Sequence, residues 1–208
     1  MKKITALLAL LMLGGALAGC GKQNDTNKTD KLSIVTTIFP EYDWVRTVLG
    51  DKADNAEVTM LLDNGIDLHS YQPTADDIVK ISDCDLFLYV GGESDGWVDD
   101  ALKNATNKNM KVINLLDVLG DSVKTEEVVE GMQETEHDHD HDHSKEVSTF
   151  EDEEEKDEHV WLSLKNAEVF VNAISKSLQE LDPDNRDTYA ANAAAYIEKL
   201  SALDGEYQ

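Results

Sequence analysis

The six histidines of this chain are its best candidates for chemistry, and they fall in three places. His69 lies in the run Gly-Ile-Asp-Leu-His-Ser-Tyr-Gln-Pro at residues 65–73, and His159 opens the run His-Val-Trp-Leu at residues 159–162. The others form one tract: His137, His139, His141 and His143. A neutral imidazole donates one lone pair to a borderline-soft cation such as zinc. Either single histidine would also fit an ordinary surface residue, but the set indicates metal binding.

Recognisable enzyme motifs are missing from the sequence. It contains no G-x-x-x-x-G-K-[ST] phosphate loop, no G-x-S-x-G nucleophile elbow and no H-E-x-x-H metalloprotease helix. A metallohydrolase would also need an exchangeable water on its metal and a nearby general base. The sequence therefore favours a metal-binding protein without covalent chemistry over an enzyme.

The tract at residues 137–143 alternates strictly between histidine and aspartate. In an extended conformation its four imidazoles would lie on one side with a repeat of about 6.6 Å, twice the rise of a strand. Flexible histidine tracts among carboxylates attract zinc, copper or nickel weakly. We therefore interpret the tract as a weak metal-collecting loop, with a solvated acidic linker as the alternative. Its imidazoles favour zinc over manganese, which prefers carboxylate-rich sites.

The chain is strongly acidic, with a formal net charge of −25 over 208 residues. A nucleic acid partner is therefore excluded, because binding a polyanion requires clustered lysine and arginine. Residues 121–158 hold 17 acidic and 3 basic residues. Such a stretch does not fold on its own, so we expect a disordered insertion at about residues 121–156.

The first 31 residues have the pattern of an export signal and a tether. Two lysines precede an apolar run at residues 4–13, and Leu-Ala-Gly-Cys at residues 17–20 resembles a bacterial lipobox. Cleavage after residue 19 would leave Cys20 carrying lipid, which anchors the protein to the outer face of a membrane. Plain secretion is the alternative. Residues 20–31 are polar and predict a flexible tether.

Strand and helix patterns alternate from Leu32 onward. Short runs rich in Val, Ile, Leu and Thr predict strands at residues 32–38, 58–62, 86–90 and 112–115. Helical patterns lie between them, and one begins after Thr74, which is expected to cap it with Asp77. This spacing predicts an α/β fold with a four-stranded, mostly parallel sheet flanked by helices. His69 follows the second strand, at the carboxyl edge where open sheets bind ligands.

Two helical patterns follow the acidic segment. The first is an apolar face from Ala167 to Leu181, and the second alternates steps of four and three residues from Tyr189 to Tyr207. The second pattern predicts one long helix that reaches the end of the chain. We therefore expect the chain to be a fragment of a longer protein, with a natural single-lobe protein as the alternative.

Five features in one order resemble the metal-binding lipoproteins that serve zinc and manganese ABC importers. They are a strand that leads into Ile-Phe-Pro at residues 38–40, the run at 65–73, the acidic His-rich insertion, His-Val-Trp-Leu at 159–162, and a helix after it. The resemblance covers about residues 32–208.

This resemblance implies two α/β lobes joined by a long helix, with the ion held between them. Residues 32–183 would form the N-terminal lobe, residues 184–208 would begin the bridging helix, and the second lobe would be missing. His69 and His159 are then the first lobe's metal ligands, for Zn²⁺ or, alternatively, Mn²⁺. The partners would be a membrane permease, which receives the ion, and membrane lipid through Cys20. An adhesin-like lipoprotein with a structural metal is the alternative function.

Overall fold

The computed structural model describes residues 31–63, 65–124 and 156–207. The export signal, Cys20, the tether and the histidine tract at residues 137–143 lie outside the described residues. Predictions for these segments therefore stay predictions.

Four short strands form one sheet, in which every pairing is parallel. The strands are β1 Leu32–Thr36, β2 Ala56–Met60, β3 Leu86–Tyr89 and β4 Lys111–Asn114, and their spatial order is β2-β1-β3-β4. Ile34 in β1 is in register with Val58 in β2 and Leu86 in β3. The predicted parallel sheet is confirmed, although the strands are shifted or shortened by one or two residues at their ends.

Six helices connect and cover the strands. They are α1 Phe39–Leu49, α2 Ala75–Asp83, α3 Val98–Lys103, α4 Leu115–Leu119, α5 Leu164–Leu181 and α6 Arg186–Tyr207. The sequence pattern did not predict α4, because its apolar residues continue the run of β4. The side chain of Asn114 ends the strand by accepting a hydrogen bond from the backbone N–H of Asp117, at 3.2 Å.

Both faces of the sheet are buried. The neighbouring residues Phe87 and Leu88 in β3 point to opposite faces, and neither is exposed. Helices α1, α5 and α6 pack against one another, whereas α2 packs against α3. Cys84, just before β3, is a buried free thiol beside Met110.

The start of α2 is fixed by the predicted cap. The hydroxyl of Thr74 accepts a hydrogen bond from the backbone N–H of Asp77 at 3.2 Å, and the Asp77 carboxylate accepts one from the backbone N–H of Thr74 at 3.0 Å. The phenol of Tyr71 donates to the same carboxylate at 3.0 Å. These bonds tie the loop that carries His69 to the helix that follows it.

The last helix is as long as the sequence pattern indicates. It packs on α1 and α5 through Tyr189, Ala193 and Leu200, which are buried. Farther along, Leu203 and Tyr207 continue the pattern but are exposed. Within the described ranges, no helix combines the length and the apolar character that crossing a bilayer requires.

Candidate metal centre

His69 lies on a short turn between β2 and α2. It is the middle residue of a short 3₁₀ helix, Leu68–Ser70, whose first residue is buried in the core. The carboxylate of Asp67 accepts a hydrogen bond from the backbone N–H of His69 at 3.0 Å. The loop is thereby anchored on its core side, while 55% of the His69 side chain is exposed. This combination presents the imidazole at the carboxyl edge of the sheet.

His159 is held by the carboxylate of Asp157, just before the turn Val160–Leu162 that leads into α5. Asp157 Oδ1 lies 2.8 Å from the backbone nitrogen of His159 and 3.0 Å from its ring atom Nδ1. The hydrogen bond from the His159 backbone, followed by the bond to its ring, lowers the pKa of Asp157. An ionised carboxylate at this position orients the ring by accepting a hydrogen bond from Nδ1–H. The lone pair of Nε2 is then free to bind a cation.

The two histidines, 90 residues apart in the sequence, come together at this edge. Their ring centroids are 5.7 Å apart, and the ring planes are inclined by 50°. Two imidazoles that share one zinc ion at Zn–N distances of about 2.0 to 2.1 Å place their centroids about 5 to 6 Å apart. Among the described residues, no group of three histidine, cysteine, aspartate or glutamate side chains is arranged to hold a metal ion. Two imidazoles are half of the four donors that a typical zinc site contains.

An open cleft of about 280 Å³ lies beside the two imidazoles. Its other walls are mainly apolar: Ile38, Phe39, Leu62, Ile66, Leu68 and Trp161. The indole of Trp161 packs on the His159 ring, with 5.3 Å between centroids. An apolar wall lowers the local dielectric constant, which strengthens the attraction between a cation and its ligands.

Glu158 is next to His159 in the sequence, which does not show where its side chain points. It is buried, with a relative exposure of 8%, and its Oε1 accepts a hydrogen bond from the backbone N–H of Ser94 at 3.0 Å. Its Oε2 lies 3.9 Å from Nδ1 of His69. In the sequence, Glu158 ends a long run of charged residues and resembles any other solvated carboxylate. The loop after β3, 64 residues away in the sequence, reaches this carboxylate through Ser94.

Two further buried carboxyl groups lie at the carboxyl ends of β1 and β3. Asp95 accepts a hydrogen bond from the backbone N–H of Gly91 at 3.0 Å, and burial, with a smaller contribution from the charge of Glu158, raises its pKa to about 6. Glu41, at the start of α1, is completely buried, and this burial raises its pKa to about 8. The region behind the histidine pair is therefore rich in buried acids.

The sequence of this chain is similar to those of known zinc-binding and zinc-uptake proteins. The sequence profile of ZnuA, described as "Zinc-uptake complex component A periplasmic", matches residues 34–208. The zinc-binding lipoprotein AdcA of Streptococcus pneumoniae (strain TIGR4) is 38% identical over 207 residues, which are 100% of this chain and 38% of that protein. The high-affinity zinc uptake system protein ZnuA of Bacillus subtilis is 35% identical over 211 residues, which cover 100% of this chain and 61% of that protein.

Solved structures show the same fold. Zn(II)-bound AdcA from Streptococcus pneumoniae matches 85% of this chain and 32% of its own length, with a TM-score of 0.62 and 34% identity. A Mn-bound periplasmic metal-binding protein from Candidatus Liberibacter asiaticus matches 81% of this chain and 53% of its own, with a TM-score of 0.55 and 29% identity.

The chain spans between about two fifths and three fifths of the length of these two curated relatives. The family profile nevertheless covers nearly all of the described fold, from residue 34 within β1 to the end of α6. The sequence-based resemblance to metal-binding lipoproteins of ABC importers is confirmed at this level. The chain therefore belongs to the ZnuA family, whose description is periplasmic component A of a zinc-uptake complex.

Proposed function

We propose that this chain captures Zn²⁺ through His69 and His159, as part of an extracytoplasmic binding protein. The observation that carries the proposal is the 5.7 Å separation of the two imidazole centroids at the carboxyl edge of the sheet. Each ring has a hydrogen-bonding partner at Nδ1, Ser94 for His69 and Asp157 for His159. Both Nε2 atoms are therefore the donors offered to a cation.

Capture fits this site better than catalysis. Zinc at a closed tetrahedral site has four protein donors and no open position for a reacting water. His69 and His159 would supply two of them, and the other two would come from outside the described residues. The named relatives are zinc-binding and zinc-uptake proteins. These names support a binding role rather than an enzymatic one.

Delivery of the ion to a membrane permease completes the proposed function. Its support is the family, whose description is a zinc-uptake complex component. We further propose that Cys20 carries the lipid that holds the protein on the outer face of the membrane. The printed name of the AdcA relative, a zinc-binding lipoprotein, supports this anchor.

Manganese is the second candidate ion, because one protein of the same fold was solved with manganese bound. The donors found here favour zinc. Neutral imidazole binds zinc more tightly than manganese, which is lower in the order of divalent metal affinities and prefers carboxylate oxygens. A competition titration with both ions separates the candidates: we expect zinc to displace manganese at equal concentration.

The test of the site is a chelator-competition titration of zinc on the protein lacking residues 137–143. Removing this tract should lower the total metal bound but preserve the tight site, because we propose the tract as a weak collector only. His69→Ala and His159→Ala, each made in the tract-deleted protein, should then weaken zinc binding at least tenfold. Unchanged affinity in both variants would reject the assignment. Loss of tight binding on tract deletion alone would reject the collecting role.

A further inference from the structure

A buried carboxylate lies on the side of His69 that faces the protein. Glu158 has a relative exposure of 8%, and its Oε1 is held by the backbone N–H of Ser94 at 3.0 Å. Its other oxygen, Oε2, is buried, has no hydrogen-bonding partner among the described residues and lies 3.9 Å from Nδ1 of His69. A buried acceptor without a hydrogen-bond donor destabilises the folded protein. The position of Oε2 close to a possible N–H donor on His69 therefore suggests that the two groups interact.

The loop after β3 holds this carboxylate in place. Gly92 has a φ of +81°, and a Cβ atom on it would lie 2.2 Å from Glu158 Oε1. The backbone therefore approaches the carboxylate more closely than any residue with a side chain allows. Together with the Ser94 hydrogen bond, this contact fixes the negative charge beside His69.

The charge decides how the His69 ring is protonated. The hydroxyl of Ser94 lies 2.9 Å from His69 Nδ1, and a hydroxyl can either donate to this nitrogen or accept from it. An anion 3.9 Å from Nδ1 favours a proton on that nitrogen, so the hydroxyl accepts. The lone pair is then on Nε2, the nitrogen that faces away from Glu158.

We propose that Glu158 is a positioning residue of the metal centre, which keeps His69 in the Nδ1–H tautomer and so makes Nε2 the metal-binding atom. The inference rests on the proposed function, in which His69 is a ligand. Glu158 is not itself a ligand of the same ion, because it lies on the Nδ1 side of the ring. Among the described residues, no three candidate ligands converge on one point, which agrees with this role.

The tautomer of His69 is measured without metal, by long-range ¹H–¹⁵N correlation NMR at a pH well above the ordinary imidazole pKa of about 6.5. We expect the wild-type ring to carry its proton on Nδ1. In Glu158→Gln, the amide carbonyl keeps the bond from Ser94, but the negative charge near Nδ1 is lost, so the Nδ1–H tautomer loses its stabilisation and the Ser94 hydroxyl can donate to Nδ1. The proton should then move to Nε2, and zinc affinity should fall about 10- to 100-fold.

Two further variants keep the test decisive. Glu198→Gln removes an exposed carboxylate on α6 and should change neither the tautomer nor the zinc affinity. Ser94→Ala removes the hydroxyl but keeps the backbone N–H that holds Glu158, so the ring should keep its Nδ1 proton. A wild-type proton on Nε2, an unchanged tautomer in Glu158→Gln, or a shift to Nε2 in Ser94→Ala would each overturn the inference. Failure of the proposed function itself would show elsewhere, as unchanged zinc affinity in His69→Ala.

Discussion

Gly92 lies so close to Glu158 that a Cβ atom on residue 92 would stand 2.2 Å from the carboxylate oxygen Oε1. The contact joins the loop after β3 to the segment before α5. It also explains why this position is a glycine, since its φ of +81° is one that L-residues rarely adopt. A side chain here would have to displace the carboxylate beside His69.

We therefore expect Gly92→Ala to weaken zinc binding as well as stability. The matched control is Gly65→Ala, since Gly65 has a similar φ of +79° but nothing within 4 Å of its added Cβ. Both variants carry the conformational cost, about 1 to 2 kcal/mol, and only Gly92→Ala also moves Glu158. Urea unfolding and zinc titration measure the two effects. Equal losses of stability and affinity in both variants would show that the contact with Glu158 has no influence.

Burial of Glu41 predicts that stability falls as the pH rises. Its pKa is about 8 in the folded protein, whereas that of an exposed glutamate is 4.5. Below pH 4.5 both states are protonated. Between pH 4.5 and 8 the unfolded chain releases the proton and the folded protein keeps it, so the free energy of unfolding decreases with pH. Above pH 8 the loss is complete and amounts to a few kcal/mol, at about 1.4 kcal/mol per pKa unit.

Glu41→Gln should remove this dependence. The difference between the wild type and Glu41→Gln isolates Glu41, and a window between about pH 6.5 and 8 lies above the pKa of about 6 of the buried Asp95. Urea unfolding should show a falling free energy of unfolding for the wild type across this window, a flatter profile for Glu41→Gln and an unchanged profile for the exposed-site control Glu198→Gln. A wild-type profile that is flat or rises with pH would contradict the assignment of a protonated, buried Glu41.

Removing the acceptor that orients His159 should weaken zinc capture. Asp157 Oδ1 accepts from both the backbone and the ring of His159. Asp157→Ala should lower zinc affinity about 10- to 100-fold, as expected for a group that orients a ligand, and Asp157→Asn, which keeps an acceptor oxygen, should lower it less. Asp100→Ala removes an exposed carboxylate paired with Lys103 and should leave the affinity unchanged. Equal affinity in Asp157→Ala and wild type would contradict this role.

The turn between α5 and α6 depends on a buried phenol. Tyr189 is completely buried, and its hydroxyl donates to Asp182 Oδ2 at 2.6 Å. Tyr189→Phe keeps the ring but removes this bond, so the free energy of unfolding should fall by about 0.5 to 1.5 kcal/mol. Tyr207→Phe, at a position that is 81% exposed, serves as the control and should change nothing measurable. Identical urea midpoints for Tyr189→Phe and wild type would show that the bond does not contribute.

The fold was largely predictable from the sequence because its signals are local. Short apolar runs gave β1 to β4, and Thr74 with Asp77 gave the start of α2. The boundary between β4 and α4 was not predictable. The apolar residues of β4 and those of α4 are separated by one polar residue only, Asn114, whose side chain caps the helix.

Of the candidate site, the two histidines were predictable from the sequence, and the arrangement of the groups around them was not. His69 and His159 stand out by residue type and by the runs around them, and the structure brings their rings together. Their assignment as ligands stays a prediction. Glu158 is next to His159 in the sequence, but its burial and direction could not be predicted, because a carboxylate at the end of a charged run gives no sign of burial. Glu41 was likewise hidden, since its burial depends on hydrogen bonds with Thr37 and Ile38 that no spacing rule reveals.

The most direct test of the central claim is an NMR titration of the tract-deleted protein with Zn²⁺, in which the ring nitrogens of both histidines are followed individually. If His69 and His159 bind one ion together, the Nε2 signals of both rings should shift in parallel and stop changing at one equivalent of zinc. A response of one ring only, of neither ring, or of the two rings at different equivalents would contradict the shared site.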